Sequence, residues 1–170
     1  MKDFVQLDHA LTNRIRTWGH SRYGFWKFIA ARSIGIYVLG AFGFALNGQL
    51  DFWHFSGLFI GTYIIAIILQ KLVKRDRPDF DHLTGYKLWP RTYSSPSAHA
   101  TLSSGAATAL LLLTDFHSQE TAIATAIAAI ALAIMIGISR IIVGVHYFAD
   151  IMFGWLLGFV IASGYLIVLN

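Results

Sequence analysis

The most constraining feature of the chain is a series of long apolar stretches separated by short polar ones. Each stretch is close to the ~20 residues that an α-helix needs to cross a bilayer. Of the 170 residues, 56% are hydrophobic and only 13% are charged, whereas about a quarter of a soluble domain carries charge. We therefore predict an all-α, multi-pass transmembrane helical bundle with about five spans: Phe25–Leu46, His54–Leu72, Ala98–Thr114, Thr121–Ile138 and Tyr147–Leu169.

The segment before the first span alternates apolar and polar residues with the spacing of a helix. Such a stripe is typical of a helix that lies on a membrane surface. We predict an interfacial helix over residues 1–20; the alternative is a frayed soluble tail. The polar segment 73–97 is predicted to be a long extramembrane loop, and residues 1–170 to form a single domain. The apolar stripe consists of Phe4, Leu7, Leu11, Ile15 and Trp18.

Counting the sides of the membrane brings four polar ends together. If all five stretches cross, the second ends, the third begins, the fourth ends and the fifth begins on the same side. Arg77, His99, Arg140 and His146 lie at these ends. Polar side chains are costly in a bilayer unless they are paired or act on a substrate. The topology therefore predicts a polar site at one membrane surface.

The sequence SRIIVGVHYFAD, residues 139–150, carries unusual polar residues in an apolar context. His146 and Asp150 are four residues apart, so on a helix they share a face and the carboxylate can hold one imidazole nitrogen. Arg140 ends the preceding apolar stretch, where it can reach an anionic ligand held at the histidine. This pattern indicates a nucleophile that handles phosphate.

A second segment, SSPSAH at residues 94–99, reads as the start of a helix. We predict Ser95 as the N-cap and Pro96 at the first helical position. The first-turn N–H groups of a helix have no partner inside the helix and attract anions. With the hydroxyl of Ser97 they form a predicted anion site.

Three segments of the chain resemble the signature of the type 2 phosphatidic acid phosphatase (PAP2) superfamily: RP at 77–78, PSAH at 96–99 and SR-x5-H-x3-D at 139–150. That superfamily includes membrane lipid phosphatases, glucose-6-phosphatase and soluble vanadium haloperoxidases. Two positions depart from its pattern. Ala98 stands where the second motif usually has Gly, and Gln70 where the first motif normally has Lys. On a continuous helix Lys74 lies closer to position 70 than Lys71 does, so we predict Lys74 as the substitute.

The resemblance implies a role for each matched residue. His146 attacks phosphorus and forms a phosphohistidine intermediate, and Asp150 accepts a hydrogen bond from the other ring nitrogen. His99 protonates the leaving oxygen and then activates water. This scheme requires no metal or cofactor. The phosphoryl oxygens are predicted to bind Arg77, Arg140, Lys74, Ser97 and the backbone of Ala98 and His99.

The implied substrate is a phosphomonoester or diphosphate of a lipid whose tail stays in the bilayer. Undecaprenyl diphosphate comes first, followed by phosphatidic acid or phosphatidylglycerophosphate. The net charge of +4 is attributed to anionic lipid or substrate rather than to nucleic acid. The alternative function is a transporter or flippase for anionic lipids, which predicts inverted repeats and broken helices; a non-enzymatic scaffold is a third class.

The charge distribution and the resemblance disagree about the side of the membrane. With five spans, all 13 Lys and Arg residues fall on the side of the predicted site, which places it in the cytoplasm by the positive-inside rule. The resemblance implies the outer face of the inner (plasma) membrane. Lys71 and Arg75 are interpreted as membrane anchors without a catalytic role. A group of loop residues is interpreted as solvated or paired with basic residues rather than as metal ligands: Asp76, Asp79, Asp81 and His82.

Overall fold

Helices account for almost all of the chain that can be described. The computed structural model describes residues 2–78 and 92–169. Within these ranges a single isolated β-bridge, between Leu50 and Thr114, is found outside the helices. The helices are α1 (Lys2–Gly19), a 3₁₀ turn (His20–Arg22), α2 (Tyr23–Arg32), α3 (Ile34–Leu46), α4 (Phe52–Val73), α5 (Ala98–Leu113), α6 (Gln119–Ile142) and α7 (Phe148–Leu169).

Three of these helices are long and apolar enough to cross a membrane, namely α4, α6 and the part of α7 from Phe148 to Tyr165. The path Lys2–Arg32 with Ile34–Leu46 makes a fourth if it is counted as one bent span. At 16 residues, α5 rises only about 24 Å, less than the ~30 Å hydrocarbon core. The predicted all-α membrane bundle is confirmed, with three to four candidate spans among the described residues.

The first predicted span, Phe25–Leu46, is not one continuous helix. The chain breaks at Ser33, where the two helical parts meet at 50°. The Ser33 hydroxyl donates to the carbonyl of Ile29, a bond that tends to bend helices. Just before the break, the Ala30 carbonyl accepts a hydrogen bond from Nη1 of Arg140 at 3.1 Å. The break therefore lies beside a backbone acceptor for a fully buried guanidinium.

Helix α5 lies at the centre of the bundle, with its most extensive contacts to α7 and further contacts to α3, α4 and α6. Small residues make this close approach possible. A Cβ atom added to Gly158 would lie 2.1 Å from the Thr101 carbonyl oxygen, and one added to Gly154 would lie 2.8 Å from the Ser97 carbonyl oxygen. The glycines of α7 thus allow the beginnings of α5 and α7 to meet.

Helix α1 covers the segment predicted as a helix, residues 1–20, but it buries polar side chains and exposes apolar ones. Asp8 and Thr12 are buried, at 3% and 2% exposure, whereas Phe4 and Trp18 are 64% and 66% exposed. A helix that buries two polar side chains and exposes part of an apolar stripe suits a position at the membrane surface against a polar protein interior. The inner face contacts α6 and α7.

Candidate active site

Four helix ends and α1 meet at one end of the bundle. Arg77, after α4, donates to the Val145 carbonyl at 2.7 Å. The Ser97 N–H, at the start of α5, donates to the Asp150 carbonyl in α7 at 3.1 Å. The ends that the sequence placed on one side of the membrane therefore contact one another directly.

The connection between α6 and α7 fixes the position of His146. Helix α6 ends because Gly144 adopts a positive φ of 82°, the usual backbone conformation just after a helix. The Gly144 and Val145 N–H groups then donate to the Ile141 and Arg140 carbonyls, at 3.0 and 3.2 Å. His146 follows in this tight turn with only 2% exposure.

The two ring nitrogens of His146 have different partners. Nδ1 lies 2.8 Å from the Ser94 carbonyl oxygen, and since a carbonyl only accepts, Nδ1 carries the proton. Nε2 lies 3.1 Å from Nη1 of Arg77 and so accepts. Burial lowers the pKa of His146 to about 4, with Arg77 acting in the same direction and Asp150 opposing it. Near pH 7 the ring is therefore neutral, with the Nε2 lone pair directed toward Arg77.

The structure corrects the predicted relation between His146 and Asp150. Helix α7 begins at Phe148, so His146 precedes it and the two residues do not share a helical face. Asp150 Oδ2 lies 3.8 Å from Nδ1 of His146 and accepts from the Tyr147 N–H at 2.9 Å, as third-position acids do when they close the start of a helix. The hydrogen-bond acceptor of Nδ1 is the Ser94 carbonyl, and Asp150 adds a negative charge beside the ring.

The two predicted arginines are held in different ways. Arg77 donates to backbone oxygens of Thr92 and Tyr93 at 2.6 and 2.9 Å, which fixes its guanidinium next to His146. Arg140 is fully buried and is anchored on the α2 carbonyl described above. Its charge also acts on His146. Both arginines thus surround the imidazole with positive charge.

The start of α5 lies two residues later than predicted. The N-cap is Ser97 rather than Ser95, and its side chain accepts from the Ala100 N–H, so Ala98 and His99 form the first turn. His99 is within electrostatic range of His146, Arg77 and Arg140. The predicted backbone anion site therefore keeps Ser97, Ala98 and His99 but excludes Pro96 from the helix.

Gln70, which stands where the family pattern has Lys, is buried at 1% exposure. Its Nε2 donates to the Pro96 carbonyl at 2.7 Å. The amide therefore ties the end of α4 to the segment that leads into α5. A neutral side chain can make this link without adding a charge to the interior.

Lys74 and Arg75 both differ from what the sequence suggested. Helix α4 ends at Val73, and Lys74 adopts a left-handed conformation with φ 51°, so the continuous helix assumed for Lys74 does not exist. Lys74 is exposed. Arg75, interpreted above as a membrane anchor, instead pairs with Asp150 at 2.8 Å and with Asp8 at 2.5 Å.

Asp8, Thr12 and Ser94 are site residues that sequence reasoning missed. Asp8 and Thr12 lie four residues apart on the face of α1 next to its apolar stripe, and this second, polar stripe was the available signal. Ser94 gave none, because it acts through its backbone carbonyl. Among the described residues, no group of three His, Asp or Glu side chains could hold a metal ion; Asp79, Asp81 and His82 lie outside them.

The chain is similar in sequence to proteins that are named as phosphatases. The chain is 32% identical over 103 residues to a decaprenylphosphoryl-5-phosphoribose phosphatase of Mycobacterium tuberculosis, covering 61% of this chain and 52% of that protein. It is 36% identical over 104 residues to an undecaprenyl-diphosphatase of Sulfolobus acidocaldarius, covering 57% of this chain and 47% of that protein. The chain thus spans about half the length of these curated relatives.

The fold is similar to the crystal structure of a transmembrane PAP2-type phosphatidylglycerolphosphate phosphatase from Bacillus subtilis. The TM-score is 0.73 at 21% identity, over 99% of this chain and 87% of the other. The sequence model of the PAP2 superfamily matches residues 51–170, which contain all three motifs. The chain therefore belongs to the PAP2 superfamily.

Proposed function

We propose that this protein is a membrane-embedded lipid phosphatase that works through a phosphohistidine intermediate. The observation that carries the proposal is the environment of His146. Its Nδ1 proton is held by a backbone carbonyl, while Nε2 lies 3.1 Å from the Arg77 guanidinium. A neutral imidazole whose unprotonated nitrogen lies next to a phosphate-binding cation is arranged for attack on phosphorus.

In the first step, Nε2 of His146 attacks phosphorus, so that a P–N bond forms as the P–O bond to the lipid breaks. His99 gives its proton to the departing oxygen. Burial and the charges of Arg140, His146 and Arg77 lower the pKa of His99 in the unliganded protein, and the negative charge of a bound phosphate acts in the opposite direction. Asp150 stabilises the positive charge that develops on the imidazole ring. The lipid product then leaves with the proton of His99.

In the second step, His99 takes a proton from water, and the water oxygen attacks the phosphohistidine. The P–N bond breaks, inorganic phosphate leaves, and His146 returns to its neutral form. Arg77 and Arg140 balance the charge of the phosphoryl oxygens through both steps, together with the N–H groups at the start of α5. Lys74 is proposed to add a further positive charge near this phosphate.

The substrate is proposed to be a polyprenyl diphosphate or phosphate, ahead of phosphatidic acid or phosphatidylglycerophosphate. Two relatives are named for polyprenyl substrates. An apolar groove of about 420 Å³ lies among α5, α6 and α7, and Ser104, Leu111, Ile134, Trp155 and Phe159 help to line it. Helices α5 and α7 carry His99 and Asp150 at their beginnings, so a chain in this groove can run along the helices that hold the phosphate.

The test is phosphate release from a panel of polyprenyl phosphates, polyprenyl diphosphates and glycerophospholipid phosphates, with EDTA present. Release that survives EDTA and is fastest with a polyprenyl substrate supports the proposal. Release that requires added divalent metal contradicts the histidine route. No release from any lipid would remove the enzyme function and favour the transporter or flippase alternative.

The site is proposed to face the outside of the plasma membrane, as the resemblance implies and against the distribution of Lys and Arg. The chain contains no cysteine, so single engineered cysteines report one position each. His117→Cys labels the end opposite the site and Lys71→Cys the site end. Labelling of Lys71→Cys, but not of His117→Cys, by an impermeant reagent on whole cells is expected. The reverse pattern would place the site in the cytoplasm.

A further inference from the structure

Arg75 joins two buried carboxylates from distant parts of the chain. Its Nη2 donates to Asp8 Oδ2 at 2.5 Å and its Nη1 to Asp150 Oδ1 at 2.8 Å. The side chains of Asp8 and Asp150 are 2% and 0% exposed, so each requires a partner for its charge. Burial opposes the charged form of Arg75, yet the two carboxylates prevail and raise its pKa.

The backbone of Arg75 contributes to the same site. Its carbonyl accepts from the Ser94 N–H at 2.8 Å and from the Ser94 hydroxyl at 3.1 Å. The Ser94 carbonyl in turn accepts from Nδ1 of His146. Arg75 therefore holds both the group that orients the imidazole and the carboxylate that lies beside it.

Helix α1 caps the beginning of α7. Asp8 Oδ1 accepts from the Ala149 N–H at 2.8 Å, and Thr12 Oγ1 accepts from the Phe148 N–H at 2.9 Å. These groups would otherwise lack partners at a helix start. Side chains from near the beginning of the chain thus hold the helix that directly follows His146.

Tyr147 is enclosed by the same groups. The ring of His9 stacks on it with centroids 4.8 Å apart and planes 6° apart. The Arg75 guanidinium carbon lies 4.3 Å from its centroid. The residue next to His146 is therefore fixed by α1 and by Arg75 in addition to its backbone bond to Asp150.

We infer that Asp8 and Arg75 are positioning residues of the active site, and that the Asp8–Arg75–Asp150 clamp holds His146 aligned for attack. This inference rests on the proposed function. Attack on phosphorus requires near-linear alignment, and an error of about 1 Å can cost about 100-fold in rate. The clamp contains none of the proposed phosphate-binding groups, so its loss lowers kcat and leaves KM nearly unchanged.

The kinetic test uses Asp8→Asn, Arg75→Gln and the double variant, in the full chain with a polyprenyl diphosphate as substrate. Each single variant is expected to lower kcat by about 10- to 100-fold with KM within about twofold. The double variant is expected to be no slower than Arg75→Gln, because both changes open one clamp. Asp3→Asn, also on α1, is the matched control and retains full activity. Fully additive losses, or a loss confined to KM, would overturn the inference.

Amide hydrogen exchange supplies a readout that does not depend on turnover. In Asp8→Ala, the amides of residues 147–149 are expected to exchange faster than in the parent protein, whereas Asp3→Ala leaves them unchanged. Unchanged exchange in Asp8→Ala would overturn the clamp itself. Faster exchange with unchanged kcat would reduce the clamp to a structural role. A parent protein that releases no phosphate from any lipid would instead overturn the proposed function. The exchange data do not depend on turnover, so the two failures can be told apart.

Discussion

Helices α4 and α7 begin at opposite ends of the bundle, and their beginnings are capped by different means. At the end away from His146, Asp51 caps its own helix by accepting from the N–H groups of Trp53 and His54 at 2.9 and 3.1 Å. At the site end, the beginning of α7 is capped by Asp8 and Thr12, 141 and 136 residues away in sequence. Helix α4 thus uses a residue next to it, whereas α7 uses a distant helix in addition to its own Asp150. Helix α5, which begins at the same end as α7, is capped locally by Ser97.

This difference shows what the site end requires. A local cap stabilises one helix whatever the rest of the chain does. A distant cap joins two elements, and burying its carboxylate is costly unless a cation such as Arg75 is placed beside it. Among the residues that the structure describes, Asp8 bears this cost at the end where His146, Arg77 and α5 must keep fixed distances. Local caps thus stabilise single helices, whereas distant caps also hold the elements of the site together.

The largest expected difference between the two ends comes from their histidines. His146→Gln is expected to lower turnover by about 10⁴-fold or more, because the proposed nucleophile is lost, while lipid phosphate still binds. His54→Gln at the opposite end changes an exposed residue that pairs with Asp51 and retains full turnover. Steady-state phosphate release and binding of a non-hydrolysable lipid phosphonate measure both. Equal activity of the two variants would contradict the nucleophile assignment.

Removal of a charge beside His146 is expected to be the next largest effect. Arg77→Ala should lower kcat/KM by about 10²- to 10³-fold, as loss of one group that stabilises transition-state charge does. Arg77→Lys should recover only part, because an ammonium cannot reproduce the fork that bonds Thr92 and Val145. Lys71→Ala, an exposed cation on α4, is the control. An Arg77→Ala enzyme as fast as this control would refute a role in phosphate binding.

The close contact between α5 and α7 is expected to contribute to stability, whereas the part of α7 that meets no neighbour is not. Gly158→Ala places a methyl group against the Thr101 carbonyl and is expected to cost about 1–3 kcal/mol in stability, with lower activity because the two helix starts separate. Gly164→Ala on the same helix meets nothing within 4 Å and should be neutral. Thermal unfolding in detergent, with turnover measured in parallel, makes the comparison. Identical unfolding temperatures would contradict the observed packing.

The smallest effect is expected from a local cap. The Ser118 hydroxyl accepts from the Thr121 N–H at 3.2 Å. Ser118→Ala should therefore lower the free energy of unfolding by about 1 kcal/mol, as loss of an N-cap does. Turnover should stay at the parent level, because this helix start is at the opposite end. A marked loss of turnover would show that the two ends are coupled more strongly than their contacts indicate.

The sequence predicted the parts of the molecule that depend on local pattern. Apolar length predicted the membrane bundle, and counting the sides of the membrane predicted that residues 77, 99, 140 and 146 belong at one end. It failed where hydrogen bonds of individual side chains, local or distant, redirect the backbone. Ser33 broke the first span, and the start of α7 beyond His146 removed the helical face assumed for Asp150.

The clamp contains two further features that the sequence does not reveal. Whether Arg75 anchors the chain to lipid or pairs with carboxylates depends on Asp8, which lies 67 residues earlier. The orienting acceptor of His146 is a backbone carbonyl, which every residue possesses. Periodicity and spacing therefore cannot identify either one.

The most direct test of the account is to trap the phosphorylated enzyme. The parent protein and His99→Gln are mixed with a polyprenyl diphosphate carrying radioactive terminal phosphate and quenched in alkali, in which phosphohistidine survives. The account predicts label on residue 146 in the parent protein and none in His146→Gln. In His99→Gln the label is expected to form slowly and to be lost slowly, because His99 acts in both steps. Label that persists in His146→Gln, or its absence from His99→Gln during phosphate release, would contradict the account.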